Sequence, residues 1–149
     1  MTQTRVRHIF AYGTLMSCID GSLGAAERAA LRAQGRCLGA ASIRGRMFDA
    51  DPFPGAVLDG AAGDRVHGEL WQLPADSRNL LSMLDRYEGC TPQCPQPHPY
   101  RRHKIRVRTR CGRRVTAWMF VWADTTAALP RIPDGRWLGH AHVEQARAA

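Results

Sequence analysis

The sequence predicts an α+β fold, a curved sheet or small barrel carrying two helices. Three observations lead there. Strand-like segments outnumber helical ones and follow the order strand, helix, several strands, helix, hairpin. Gly39 and Gly45 interrupt one long β-like stretch, as a bulge or a barrel corner requires. The run Val115-Thr116-Ala117-Trp118-Met119-Phe120-Val121-Trp122-Ala123 is apolar on both faces, so it belongs in the middle of a covered sheet.

Taken in order, Arg5 to Ala11 alternates as a strand, with Val6, His8 and Phe10 on one side and Ile9 and Ala11 on the other. It runs into Tyr12-Gly13-Thr14-Leu15, where a strand that stops leaves backbone N–H groups free and Gly13 admits a ligand to the main chain. Residues 16–23 form a loop, and Gly24 to Gln34 an Ala-rich helix ended by Gly35. Arg36 to Ala50 reads as one bent strand or two. Asp51 to Gly55 is a loop, Ala56 to Leu58 a short strand, and Val66 to Leu73 the next, in which Gly68 marks a close approach by another backbone or a ligand. Asp76 or Ser77 caps a second helix. A Pro-rich loop over Thr91 to Pro99 precedes a hairpin, Ile105–Arg114 and Val115–Ala123, turning at Cys111-Gly112-Arg113. The segment 125–149 reads as irregular.

At 149 residues and 44% hydrophobic content, the expectation is one domain over 1–149 with its core in residues 5–124. No run of 18 apolar residues predicts a membrane span. The polar start Met1 to His8 lacks the apolar region of a signal peptide, so the expected location is cytoplasmic. Five cysteines (Cys18, Cys37, Cys90, Cys94, Cys111) are expected to be reduced thiols. Cys90-x3-Cys94, with His98 and His103 nearby, has loose metal spacing but no second pair, which argues against zinc. The six histidines and Ser17, Ser42, Ser77 and Ser82 sit in no metal or nucleophile motif.

The second helix carries the main chemical signal. With Leu80 placed at zero on a helical wheel, Leu84, Leu81, Met83 and Tyr87 fall at about 40°, 100°, 300° and 340°. Glu88 falls at about 80°, among the apolar residues, and in the last turn before Gly89. Burial disfavours a charged carboxylate, and so does the negative end of a helix dipole. A carboxyl placed this way is costly to the fold and suited to moving protons near neutral pH. The opposing reading is a helix boundary a few residues off, with Glu88 in solvent. Asp85, at about 140°, is expected to pair with an Arg or cap a loop. Glu69 is expected on a solvent face or in a pair.

Four stretches together resemble the γ-glutamylcyclotransferase-like superfamily, which includes γ-glutamylamine cyclotransferase, the butirosin-pathway γ-glutamyl cyclotransferase and the plant avirulence-induced-gene-like proteins. They are Tyr12-Gly13-Thr14-Leu15; Val66-His67-Gly68-Glu69-Leu70-Trp71; Leu84-Asp85-Arg86-Tyr87-Glu88-Gly89; and Gly135-Arg136-Trp137. The resemblance runs from about Ile9 to Trp137, and its first and third motifs are the most specific. It implies a small mixed β-barrel flanked by two or more helices, with a cavity at one end. It implies that Tyr12, Gly13, Thr14 and Leu15 bind the glutamyl end of a small-molecule substrate, largely through main-chain N–H groups. Tyr100 would stand in the pocket wall and Glu88 would be the general acid/base, with no metal or organic cofactor. Two departures bear on substrate choice: Gly135-Arg136-Trp137 where many bacterial relatives have Gly-Asp-Trp, and the Cys- and Pro-rich loop Cys90 to Pro99, both expected near the pocket mouth.

The implied reaction suits these residues. The α-amine of a γ-glutamyl amide attacks its own γ-carbonyl, giving 5-oxoproline and a free amine. One carboxyl can take the proton from that amine and return it to the leaving nitrogen. The rival reading is a basic barrel that binds nucleic acid or another anion without catalysis. The chain carries a net charge of +8, and Arg106, Arg108 and Arg110 share one strand face within the Arg101 to Arg114 stretch. No aromatics interleave those arginines as a base-stacking platform would need, which argues against nucleic acid. A silent scaffold and a thiol-redox protein using Cys90 or Cys94 are weaker rivals.

Overall fold

The computed structural model describes residues 5–137. Five strands close a barrel: β1 (His8–Ala11), β2 (Arg36–Arg44), β5 (Arg65–Gln72), β6 (Tyr100–Thr109) and β7 (Arg114–Trp122). Their order around the barrel is β1-β5-β2-β6-β7. Neighbours are antiparallel except at the closure, where β1 meets β7 in parallel at Ile9↔Trp118. That one parallel pair makes the barrel mixed. A second sheet of order β4-β3-β8 is built from β3 (Arg46–Ala50), β4 (Phe53–Val57) and β8 (Arg131–Ile132). Among the described residues, two helices, α1 (Ala25–Gln34) and α2 (Arg78–Tyr87), accompany the sheets and make the fold α+β. Among the described residues, no helix is long and apolar enough to cross a membrane.

The barrel interior follows the strand alternation. Ile43, Val66, Leu70, Val107, Ala117 and Met119 are all buried at 2% exposure or less. Both faces of β1 are covered, since Ile9 and Phe10 are each buried. The apolar run in β7 is central as expected, because β7 pairs with β6 on one side and β1 on the other. At Gly68 the approach of β1 leaves no room for a side chain: a Cβ there would collide with the Ala11 carbonyl.

Several boundaries differ from expectation. The long strand 36–50 is two strands in two different sheets, and it breaks at Gly45, where a Cβ would strike the Val57 carbonyl. The expected loop Asp51 to Gly55 is strand from Phe53 onward, because Gly55 lies flat against Trp122 and a Cβ would come within 3.0 Å of that ring. Leu58 lies outside β4 and is exposed. β1 is shorter than its pattern and starts at His8. β6 begins five residues earlier than predicted, at Tyr100. The segment after 125 contributes β8, which extends the second sheet through Met47↔Ile132 and Phe48↔Arg131. Residues 138–149 lie outside the described part, as do Met1 to Thr4.

Candidate active site

α2 ends in a Schellman arrangement that places Glu88. Ser77 holds the N-cap position without a side-chain cap, and the Asp76 carboxylate accepts the Arg78 N–H at 3.2 Å instead. At the other end Glu88 keeps helical angles (φ −82, ψ −3), and its N–H donates to Leu84 O at 2.9 Å. Gly89 turns left-handed at φ +75, its N–H donating to Arg86 O, and the Cys90 N–H donates to Asp85 O at 3.0 Å. Two otherwise orphaned carbonyls, those of Asp85 and Arg86, are thereby satisfied. The helix ends at Tyr87 with Glu88 as its C-cap, and Leu80 and Leu84 are fully buried on the face that Glu88 shares.

The Glu88 side chain enters a cavity walled by residues 10–15 at the end of β1, by Phe53 and Pro54 of β4, and by Tyr100 and Phe120. Its enclosed centre is about 30 Å³, and about 360 Å³ is empty when the mouth open to solvent is included. The carboxyl has no hydrogen bond or ion pair among the described residues. Burial pushes its pKa up from 4.5 to about 8, with the negative charges of Asp85 and then Glu27 adding to the effect. Asp85 itself is paired: Arg102 Nε reaches its Oδ1 at 2.8 Å, and the guanidinium lies over Trp118. The pairing expected of Asp85 is therefore present.

The opposite wall is main chain. Among the described residues, the backbone N–H groups of Gly13, Thr14 and Leu15 donate to no protein acceptor. Gly13 is pressed against Pro54, whose Cγ a Cβ would approach to 2.7 Å. The loop is anchored from behind by Arg28, a buried cation of α1. Arg28 Nη1 donates to Thr14 O at 2.8 Å, and its other donors reach Leu23 O and Gly21 O at 3.2 and 2.6 Å. In a trans peptide the N–H points opposite to the C=O. Holding Thr14 O toward α1 therefore turns the Leu15 N–H away from it, on the cavity side of the loop.

The structure thus brings together Glu88, Tyr12, Gly13, Thr14, Leu15 and Tyr100. The two tyrosines contribute ring faces, since their hydroxyls are engaged elsewhere. Tyr12 Oη donates to Phe120 O at 2.6 Å and accepts the Ala56 N–H, while Tyr100 Oη donates to Pro54 O at 2.6 Å. Burial raises the pKa of both, followed for Tyr12 by Tyr100 and then Glu88 and for Tyr100 by Glu88 and then Tyr87, so they remain neutral. Sequence reasoning missed three contributors. Tyr87 bonds Thr14 Oγ1 at 2.7 Å and packs edge-on to Phe53; its position on the apolar face of α2 was the available signal. Arg28 offered only its i, i+3 spacing to Leu31. Phe53 lay in a stretch read as loop.

Other residues fall outside this cavity. Glu69 accepts from Ser17 N at 2.6 Å, from Ser17 Oγ and from Trp71 Nε1, on the outer side of the barrel. Arg136, expected near the pocket mouth, lines that same outer groove. The thiol of Cys90 is pushed up to about 11 by burial and by Asp85, opposite to what a reactive thiol requires. Cys94 Sγ meets Thr91 Oγ1 at 3.0 Å. Among the described residues, no group of three or more His, Cys, Asp or Glu is placed to hold a metal ion.

A family model described as γ-glutamyl cyclotransferase, AIG2-like, matches residues 9–139. The chain belongs to this family. Solved structures agree on the fold. An AIG2-like protein from Mus musculus matches with a TM-score of 0.64 at 19% identity, over 87% of this chain and 88% of the other. The ytfP protein from Escherichia coli matches with 0.58 at 25% identity, over 90% and 98%. YkqA from Bacillus subtilis matches with 0.66 at 20% identity, over 94% of this chain and 42% of the other, so this chain spans less than half of YkqA. No curated protein matches the sequence.

Proposed function

We propose that the protein is a γ-glutamyl cyclotransferase that releases 5-oxoproline from a γ-glutamyl amine or amide, with Glu88 as the general acid/base. One observation carries the proposal: an unpaired carboxyl, held near pKa 8, shares a small cavity with free N–H groups on residues 13–15. Family membership supports the reaction class.

The steps follow from this arrangement. The γ-glutamyl end enters with its γ-carbonyl oxygen toward the loop 13–15. Ionised Glu88 takes a proton from the substrate's α-ammonium, and the freed nitrogen attacks the γ-carbonyl carbon. A C–N bond forms, closing a five-membered ring, and the carbonyl electrons move to oxygen, where the loop N–H groups stabilise the charge. Glu88 gives that proton to the departing nitrogen, and collapse breaks the original amide C–N bond. The ionised carboxylate then takes the second proton from the ring nitrogen, leaving a neutral lactam, and passes it to the released amine, which departs as ammonium. The proton count balances with one carboxyl, and a pKa near the working pH serves both halves of the cycle. Because the attack is intramolecular, holding the chain folded supplies much of the acceleration.

The test is 5-oxoproline release from a panel of γ-glutamyl amines, γ-glutamyl amino acids and glutathione, by wild type and Glu88→Gln. Turnover of any member, with a loss of at least ~10² in the variant, supports the assignment. Absence of release by folded wild type refutes it.

A further inference from the structure

On the outer face of the barrel lies a groove of about 620 Å³ that shares no lining residue with the Glu88 cavity. Strand register builds it. Ser42 on β2 stands opposite His67 on β5 and Arg108 on β6, and Arg65 follows His67 on the same side of β5. The other faces of these strands carry the buried Ile43, Val66 and Val107, so the groove face points outward. Arg110, past the end of β6, and Arg136 from the closing segment complete the wall. Gly135 lets that segment lie directly on β5: its carbonyl accepts the His67 N–H at 2.9 Å, and a Cβ would collide with Arg65 O.

The groove gathers four arginines against one carboxylate, Glu69. Elsewhere Arg46, Arg78, Arg102 and Arg131 each pair with an aspartate. Arg65, Arg108, Arg110 and Arg136 form no ion pair among the described residues. Arg65 reaches only Ser42 Oγ, at 2.9 Å, and the other three side chains donate to no described residue. Burial, and then the charges of Arg108 and Arg114, work against the Arg65 cation. Burial, then Arg136 and Arg65, hold His67 below its usual pKa, with Asp134 opposing them. The carboxylate on the groove wall, Glu69, is already engaged by Ser17 and Trp71. Guanidiniums that line one groove repel one another, an anion placed among them relieves that repulsion, and their forked donors match phosphate oxygens.

We propose that this groove binds a small molecule bearing two or more phosphate groups, held by Arg65, Arg108, Arg110 and Arg136. Its volume lies in the range of small-ligand sites. Arg101, Arg106 and Arg113, which would extend a nucleic-acid track, are not among its lining residues.

The test titrates the full chain with inorganic pyrophosphate and tripolyphosphate at fixed ionic strength, by calorimetry. Saturable one-to-one binding is expected. Arg65→Gln with Arg108→Gln should weaken it at least ~10-fold, while Arg101→Gln with Arg113→Gln, removing the same charge outside the groove, should change it less than about twofold. In wild type, the His67 ring protons followed by NMR should titrate at higher pH with pyrophosphate bound, because the anion offsets Arg65 and Arg136; this readout needs no variant to fold. No saturable binding, equal weakening in both double variants, or an unmoved His67 would overturn the proposal. So would a single-stranded oligonucleotide whose binding falls equally in both double variants, which would assign the whole basic face to nucleic acid.

Discussion

Replacing Glu88 by Gln should stabilise the folded protein, and by an amount that depends on pH. The folded carboxyl titrates at about 8 against 4.5 in the unfolded chain. Below about pH 4 both states hold the proton and the variant gains nothing. As pH rises through 4.5 the unfolded chain ionises while the fold still holds its proton, so wild-type stability falls until the folded carboxyl ionises too. Above about pH 9 the loss is constant. At about 1.4 kcal/mol per factor of ten, the plateau is at most about 5 kcal/mol, and water entering the cavity mouth reduces it. The expected gain for Glu88→Gln is therefore roughly 2–5 kcal/mol at the plateau, and about half of that near pH 6.5.

Urea unfolding at a series of pH values, wild type against variant, measures this directly. It is more decisive than a pH–rate profile, because the substrate's own α-amine also titrates in the alkaline range and its limb overlaps that of Glu88. The charged groups that act on Glu88, Asp85 and Glu27, are present in both proteins, so their effects cancel to first order. A stability difference that stays flat from about pH 5 to pH 8 would show that Glu88 ionises freely. It would then be a weak base at neutral pH, and the reasoning that assigns it the proton transfer would fail.

Four further outcomes are expected. Arg28→Met strips the donors from three carbonyls and should cost roughly 2–3 kcal/mol in urea unfolding and about tenfold in kcat, with Arg28→Lys intermediate because one ammonium cannot reach all three. Gly68→Ala forces β1 from β5 at Ala11 and should lower stability by roughly 2–4 kcal/mol, read as a drop in Tm. Tyr87→Phe loses the 2.7 Å bond to Thr14 and should cost about 1 kcal/mol, with a smaller effect on rate than Glu88→Gln. Glu27→Gln removes one of the charges opposing Glu88 ionisation, so the pH at which wild-type stability levels off should move down.

The features legible in the sequence were those encoded within one element. Glu88 stood out because helical spacing and a following glycine are both local, and both are confirmed by the buried Leu80 and Leu84 and by Gly89 at φ +75. The Asp85 pairing was foreseen, but its partner Arg102 lies on another element, which no spacing rule connects. The closure of the barrel by a parallel β1–β7 pair was equally invisible to alternation, which shows that a strand has a covered face without showing which strand lies beside it. The first three residues of β4 were read as loop because Phe53-Pro54-Gly55 has poor strand propensity. They are strand because Gly55 must lie against Trp122, a tertiary contact that overrides the local preference.

The anchoring of the loop 13–15 shows why the site was only partly readable. The residues that would touch a substrate sit in one tetrapeptide and one helix end, so a pattern could find them. The residue that aims the tetrapeptide is Arg28, in a helix whose composition says only that it is Ala-rich and soluble. Its role exists because α1 folds back over Thr14, Gly21 and Leu23, bringing a cation to three carbonyls that have no strand partner. A free N–H aimed into a cavity has to be held by something on the carbonyl side of the same peptide, since nothing in the cavity holds it before substrate arrives. Glu88 is held in the same indirect way, by the Schellman bonds of its neighbours rather than by any bond to its own carboxyl. Both halves of the site are therefore fixed through their backbone, which among the described residues leaves the Glu88 carboxyl and the N–H groups of residues 13–15 without a partner in the lining of one cavity.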